Sequence, residues 1–87
     1  MSTIGAEMGQ LETLKGTFDR ESGNVSELTS TISGQLGNTW WKGPAADRFR
    51  ASWDSDFAPM LRKLEASLQE ASQEVQRRHD ALMQAGS

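Results

Sequence analysis

The chain has no cysteine, no tyrosine, one histidine and two prolines among its 87 residues. Without cysteine it has no disulfide framework, thiol nucleophile or thiolate metal site. No run of 18 apolar residues occurs, so we expect no membrane-spanning helix. Residues 1–10 have neither the basic nor the apolar segment of a classical signal peptide. The net charge of −3 argues against nucleic-acid binding.

Large apolar residues are also scarce. Leu, Ile, Val and Phe together number 15, to which four Met and three Trp can be added. So low a share combined with a high net charge would indicate disorder, but the net charge here is small. We therefore expect a single domain over residues 1–87 with a thin core that relies on a partner surface.

Residues 3–36 carry the pattern of one long amphipathic helix, for which Ser2 or Thr3 is the expected N-cap. An apolar residue recurs every seven positions, and a companion position three residues later is apolar in alternate heptads. The heptad residues are Ile4, Leu11, Phe18, Val25 and Ile32. The companion row is Glu7, Leu14, Glu21, Leu28 and Gln35. Because a buried unpaired charge is costly, we expect the two glutamates to lie at the edge of the apolar stripe or to pair with basic groups.

Residues 44–84 carry a second apolar stripe, in which ten steps cover 36 residues, a mean of 3.6 and therefore the helical period. Pro59 is expected to kink this helix on the side away from the stripe. We expect the aromatic members of the stripe to pack in the core. The stripe consists of Ala46, Phe49, Trp53, Phe57, Met60, Leu64, Leu68, Ala71, Val75, Arg78 and Leu82.

Residues 37–43 form the expected loop. Gly37 can end the first helix as a left-handed cap, and Pro44 suits the first turn of the second helix. Two helices joined by a short loop lie antiparallel, so the sequence predicts an all-α helical hairpin. Such a hairpin encloses no core, and we expect a second hairpin to complete a four-helix bundle.

The motif Trp41-x-Gly43 lies at the predicted turn. Glycine there permits a backbone conformation or a close approach that a Cβ would block. Trp41 can then fold over the end of the hairpin. The two adjacent tryptophans cannot both point inward, and we expect Trp40 to be exposed.

His79 is the only histidine, and neighbouring Asp80 is expected to point about 100° away from it on a helix. We therefore expect no catalytic site, no metal site and no cofactor, and the chain has no phosphate-binding glycine loop. His79 with Arg77 and Arg78 would favour the dipole of a helix C-terminus. Arg78 could instead reach an acidic residue of a partner.

The loop and its surroundings resemble the WXG family of type VII secretion substrates, which includes the early secreted antigenic target proteins of mycobacteria and their actinobacterial and Firmicute relatives. The family pattern Trp-x-Gly-x-Ala-Ala-x-x-Phe fits Trp41, Gly43, Ala45, Ala46 and Phe49. The resemblance covers the whole chain, with the motif midway between two long helices.

The resemblance implies hairpins that pair antiparallel into four-helix bundles. It also implies secretion from the bacterial cytoplasm in folded form, without a cleaved leader, through an FtsK/SpoIIIE-like ATPase. Export in the family typically relies on a C-terminal Tyr-x-x-x-Asp/Glu near the partner's Trp-x-Gly turn, but this chain has no tyrosine. We therefore expect it to be the signal-less partner of a WXG paralogue, with Trp41 and Gly43 completing a composite secretion signal. A homodimer remains an alternative.

The expected partner interface draws on both helices. Its residues are Leu11, Leu14, Phe18, Val25, Leu28, Ile32, Phe49, Trp53, Leu64, Leu68 and Val75. Two other functions stay open at this point. Apolar stripes favour a membrane-active effector released when the dimer dissociates, although the chain lacks a dense basic flank. A structural hairpin that stays in the cytoplasm is the other.

Overall fold

The computed structural model describes residues 5–86, which form two long helical arms. Helix α1 spans Met8–Asn38, α2 spans Pro44–Ser52 and α3 spans Ala58–Ala85, and a π-helical turn at Trp53–Phe57 joins α2 to α3. Helices α1 and α3 pack against each other, and the chain measures 66 × 19 × 17 Å. No strand occurs in the described part of the chain. The predicted all-α hairpin is therefore confirmed.

Helix α1 begins at Met8 rather than near residue 3. Glu7, predicted to lie along the helix, is its N-cap, because the Glu7 carboxylate accepts two backbone N–H groups of the first turn at 3.1 and 2.6 Å. The predicted caps, Ser2 and Thr3, lie outside the described residues. The other end also differs, because α1 continues through Gly37, which has no positive φ. The left-handed glycine cap predicted there is wrong.

The contact between α1 and α3, called the seam below, is made largely of small polar side chains. Ser22 and Thr29 are buried on α1, and Ser72 is buried on α3. The Ser22 hydroxyl donates to the main-chain carbonyl of Glu65 at 3.1 Å. Within residues 5–86 the buried hydrophobic residues are Ala46, Trp53 and Ala58. The hairpin thus brings its helices close together with little apolar volume between them.

Charged groups close the seam toward its open end. The Asp19 carboxylate accepts hydrogen bonds from Ser72 on α3 and from Lys15, the latter at 2.7 Å. Further along, buried His79 places Nε2 3.1 Å from Glu12 of α1 and Nδ1 3.2 Å from Asp80. The expectation that Asp80 points away from His79 is wrong.

The arginines next to His79 do not serve the helix dipole. Helix α3 continues to Ala85, so Arg77 and Arg78 lie before its last turn. The helix dipole has little effect on charges that far from the end of the helix. Both pair instead with Glu74 on their own helix, at 2.7 and 2.8 Å.

The π-helical turn shifts the register of the second arm. It ends just before Pro59, whose missing N–H cannot continue the regular hydrogen-bond ladder. Because this wide turn accommodates an extra residue, the buried position after Trp53 is Ala58 rather than Phe57. From the π turn onward, the residues of the predicted stripe are therefore rotated away from the seam. Phe57, Met60 and Leu64 are all exposed as a result.

The His79 contacts predict how stability depends on pH. A neutral imidazole has one N–H, so only the protonated ring can donate to both carboxylates. The hydrogen bond with Asp80 and the charge and hydrogen bond of Glu12 raise the pKa of His79 above its ordinary 6.5, against the opposing effect of burial. A raised folded-state pKa gives stability that is complete below the ordinary value and is lost as pH rises through the raised one.

We therefore expect the free energy of unfolding to be highest below the ordinary pKa of 6.5 and to fall as the pH rises through the raised pKa of His79. Urea denaturation monitored by circular dichroism at a series of pH values measures this fall. In the variant His79→Gln, the free energy of unfolding should not change with pH over the range in which the wild type loses stability. An equal fall in the variant would mean that another group causes it. Below this range stability should fall again in strong acid, because hydrogen bonds from Lys15 and Ser72 lower the pKa of Asp19.

Candidate partner-binding face and turn

The large apolar side chains share one side of the hairpin. Successive residues of an α-helix are rotated by about 100° around the helix axis. Leu14 and Leu28 are therefore rotated by roughly 80° and 120° from the seam residue Ser22, both in the same direction. On α3, Leu64 lies about 100° from Glu65 in the same sense. When antiparallel helices face each other, equal rotations bring residues to the same side of the pair. We call this side the apolar face; it comprises Leu14, Phe18, Val25, Leu28, Ile32, Phe57, Leu64, Leu68 and Val75.

The apolar face is open to solvent in the single chain. Leu14, Leu28 and Leu64 are 43%, 47% and 46% exposed. The accessible surface of the chain is 6565 Å², whereas a compact monomer of this mass would expose about 5,100 Å². The difference between these two areas is larger than the roughly 800 Å² that each partner buries in a standard interface. The single chain therefore exposes enough surface for a standard interface.

The opposite side of the hairpin is polar. It holds a shallow groove of about 330 Å³. The groove is lined by Ser26, Thr29, Ser30, Ser33, Arg62 and Glu65. The two sides of the hairpin therefore differ in polarity. Only the apolar face has the composition of half a helical-bundle core.

The turn at one end of the hairpin depends on Gly43. This residue is the N-cap of α2, with φ of 118° and ψ of 175°, a region essentially restricted to glycine. A Cβ built on Gly43 would meet nothing within 4 Å. Glycine is therefore needed at position 43 for its backbone conformation and not for a close approach that a Cβ would block. Pro44 follows in the first turn of α2, as predicted.

Arg50 holds the turn together, and sequence reasoning missed it. Its guanidinium donates to the main-chain carbonyls of Trp41 at 2.8 Å, Thr39 at 3.0 Å and Leu36 at 3.4 Å. These carbonyls lie at and beyond the C-terminal end of α1, where helical partners run out. One side chain thus replaces the glycine cap that was predicted. No sequence pattern announces this contact, because which carbonyls lack helical partners depends on where α1 ends.

Trp41 lies on Arg50 and begins a row of aromatic rings. Its ring centroid is 6.0 Å from the Arg50 guanidinium and 5.7 Å from the ring of Phe49, which is in turn 6.4 Å from Phe57. Trp41 is 38% exposed and Trp40 is 85% exposed, as expected for the latter. Phe49 and Phe57 were expected in the core but are about half exposed. This aromatic row extends the apolar face to the turn.

The predicted interface residues divide into three groups. Trp53 is only 6% exposed, and its indole N–H donates to Ser33 at 2.9 Å, so its ring packs inside the hairpin and little of it is left for a partner. The exposed members are Leu14, Leu28, Phe49 and Leu64. The half-buried members are Leu11, Phe18, Val25, Ile32, Leu68 and Val75.

Within residues 5–86 no group of three His, Asp or Glu side chains is placed to hold a metal ion. No helix in that range is long and apolar enough to cross a membrane. Comparisons of the chain with protein-family models, with curated proteins and with solved structures found no match.

The contacts of Arg50 predict that Arg50→Lys destabilises the hairpin. Lysine keeps the charge but cannot present the planar fork that reaches three carbonyls. We expect a loss of about 1–2 kcal/mol in the free energy of unfolding, measured by urea denaturation. Arg48→Lys, two residues earlier and exposed, is the matched control and should change little. Equal stability of the two variants would contradict the proposed role of Arg50.

Proposed function

We propose that this chain is a non-enzymatic, WXG-type helical hairpin of a type VII secretion system. Its apolar face pairs with a paralogous hairpin, and the pair leaves the bacterial cytoplasm folded. The turn at Trp41 and Gly43 contributes to the secretion signal of the pair. The observation that carries the proposal is a half-exposed apolar face that continues through the row of aromatic rings to an ordered Trp-x-Gly turn.

The apolar face supports pairing with a second hairpin. Leucine and aromatic side chains lie along both arms, and the seam between the arms leaves them uncovered. Four-helix bundles bury such faces by packing two hairpins against each other. The length of the face suits a partner of comparable length rather than a short peptide.

The turn supports a role in recognition. Gly43 and Arg50 hold the backbone around Trp41, so that the indole is presented at a defined place while about a third of it stays open. The absence of tyrosine removes the family's own Tyr-x-x-x-Asp/Glu signal from this chain. The proposal therefore assigns that signal to the paralogue and the Trp-x-Gly end to this protein.

Pairing is tested by mixing the chain with the product of the neighbouring paralogous gene and measuring mass by light scattering. We expect a stable 1:1 complex. Stable self-association with no binding of the paralogue would contradict the heterodimer and favour the homodimer.

Export is tested in the producing bacterium with Trp41→Ala. We expect loss of both chains from the culture medium while the complex still forms in the cytoplasm, because the indole lies at the turn, beyond the apolar side chains that line the two arms. Trp40→Ala is the matched control, as it removes an adjacent and more exposed indole. Undiminished export of the Trp41 variant would contradict a signalling role for the turn.

A further inference from the structure

Glu21 is the charged residue that interrupts the apolar face on α1. It belongs to the companion row, one heptad from Leu14 and one from Leu28, both of which are exposed on that face. Its own side chain is about half exposed. A hairpin that covers the two leucines must therefore cover the Glu21 carboxylate between them.

The chain itself does little to neutralise this carboxylate. The Arg20 Nε lies 3.9 Å away, at the limit of an ion pair, and the Asn24 amide is 3.4 Å away. By contrast, Asp19 has close partners on the seam in Lys15 and Ser72. On pairing, Glu21 would lose water, and a buried carboxylate without a cation is costly.

The position of Glu21 along the helix matters for self-pairing. Helix α1 has 31 residues, and its middle residue is Gly23. Glu21 is two residues from that point, or about 3 Å along the axis. In an antiparallel pair of identical hairpins, a two-fold axis perpendicular to the helices places α1 over α1. The two copies of Glu21 would then be separated by only about 6 Å along the axis.

We infer that Glu21 sets the choice of partner: it disfavours a second copy of this chain and fits a different hairpin that carries a lysine or arginine opposite it. This inference rests on the proposed pairing of the apolar face. Like charges juxtaposed in an interface are a common means of rejecting the wrong partner, and a complementary cation satisfies the same group in the right one. The net charge of −3 on each copy acts in the same direction.

The test is self-association of the full chain, measured by sedimentation velocity, for the wild type and Glu21→Gln. We expect the glutamine variant to dimerise about ten- to a hundredfold more tightly, the range that repulsion between like charges about 6 to 10 Å apart gives at a partly buried site. Glu27→Gln is the matched control. It removes the same charge from the same helix, but at a position rotated about 140° from Ser22 and away from the apolar face.

A charge exchange gives a second readout. Glu21→Lys should remain as weakly associated as the wild type when alone, and a mixture of the two should form a 1:1 dimer. High salt should strengthen self-association of the wild type more than that of Glu21→Gln, because salt screens the additional repulsion between the two Glu21 carboxylates.

Three results would overturn the inference: self-association of the wild type as tight as that of Glu21→Gln, an equal gain in Glu27→Gln, or monomers in every sample including the mixture. None of these results involves the paralogue. Failure of the wild type to bind the paralogue would instead count against the proposed function, so the two failures are distinguishable.

Discussion

The closeness of α1 and α3 is the constraint on which the rest of the structure depends. Ser22 donates to a main-chain carbonyl of the opposite helix, and Ser72 bonds to Asp19 across the same seam. Small hydroxyl side chains allow this approach and leave little space for leucine or phenylalanine between the helices. The large apolar residues are therefore displaced to one side of the pair. The apolar face follows from how the hairpin closes.

This arrangement explains how a chain with few large apolar residues can still fold. Hydrogen bonds and ion pairs align the arms, and Trp53 with two alanines supplies the buried apolar contact near the turn. Much of the remaining apolar surface stays exposed to water. Burying it would contribute a favourable free energy of roughly 25 cal/mol per Å². A partner that covers the face gains that free energy. In the proposed complex, the thin core of the single chain is half of the core.

The two ends of the hairpin are held differently. At the turn, Gly43 provides a backbone conformation that other residues avoid, and Arg50 binds the carbonyl of Leu36 in the last turn of α1 and that of Trp41 in the loop. At the open end, His79 joins the arms through Glu12, and this contact changes with pH. Of the two ends, the open end is therefore the one whose contact between the arms depends on pH.

Sequence periodicity was enough to predict the hairpin, because heptads and a 3.6-residue stripe constrain long helices strongly. The turn was also predictable, since Pro44 fixes its own φ and Gly43 tolerates conformations that other residues avoid. The stripe failed at Phe57 because the π turn before Pro59 adds a residue to the register, which no residue pattern announces. Arg50, and the Glu7 cap that replaces the predicted start of α1, depend on which backbone groups lack partners. Such groups are known only once the helix ends are known.

The absence of cysteine allows a direct test of the claim that a partner hairpin covers the apolar face. In the variant Leu28→Cys the introduced thiol lies on that face, and in Glu27→Cys it lies on the other side of α1. The measurement is the rate at which each single thiol is labelled by a maleimide, with and without the paralogue. The account predicts that the paralogue slows labelling at position 28 severalfold or more and leaves position 27 unchanged. Equal labelling of position 28 in the free chain and in the complex would contradict it.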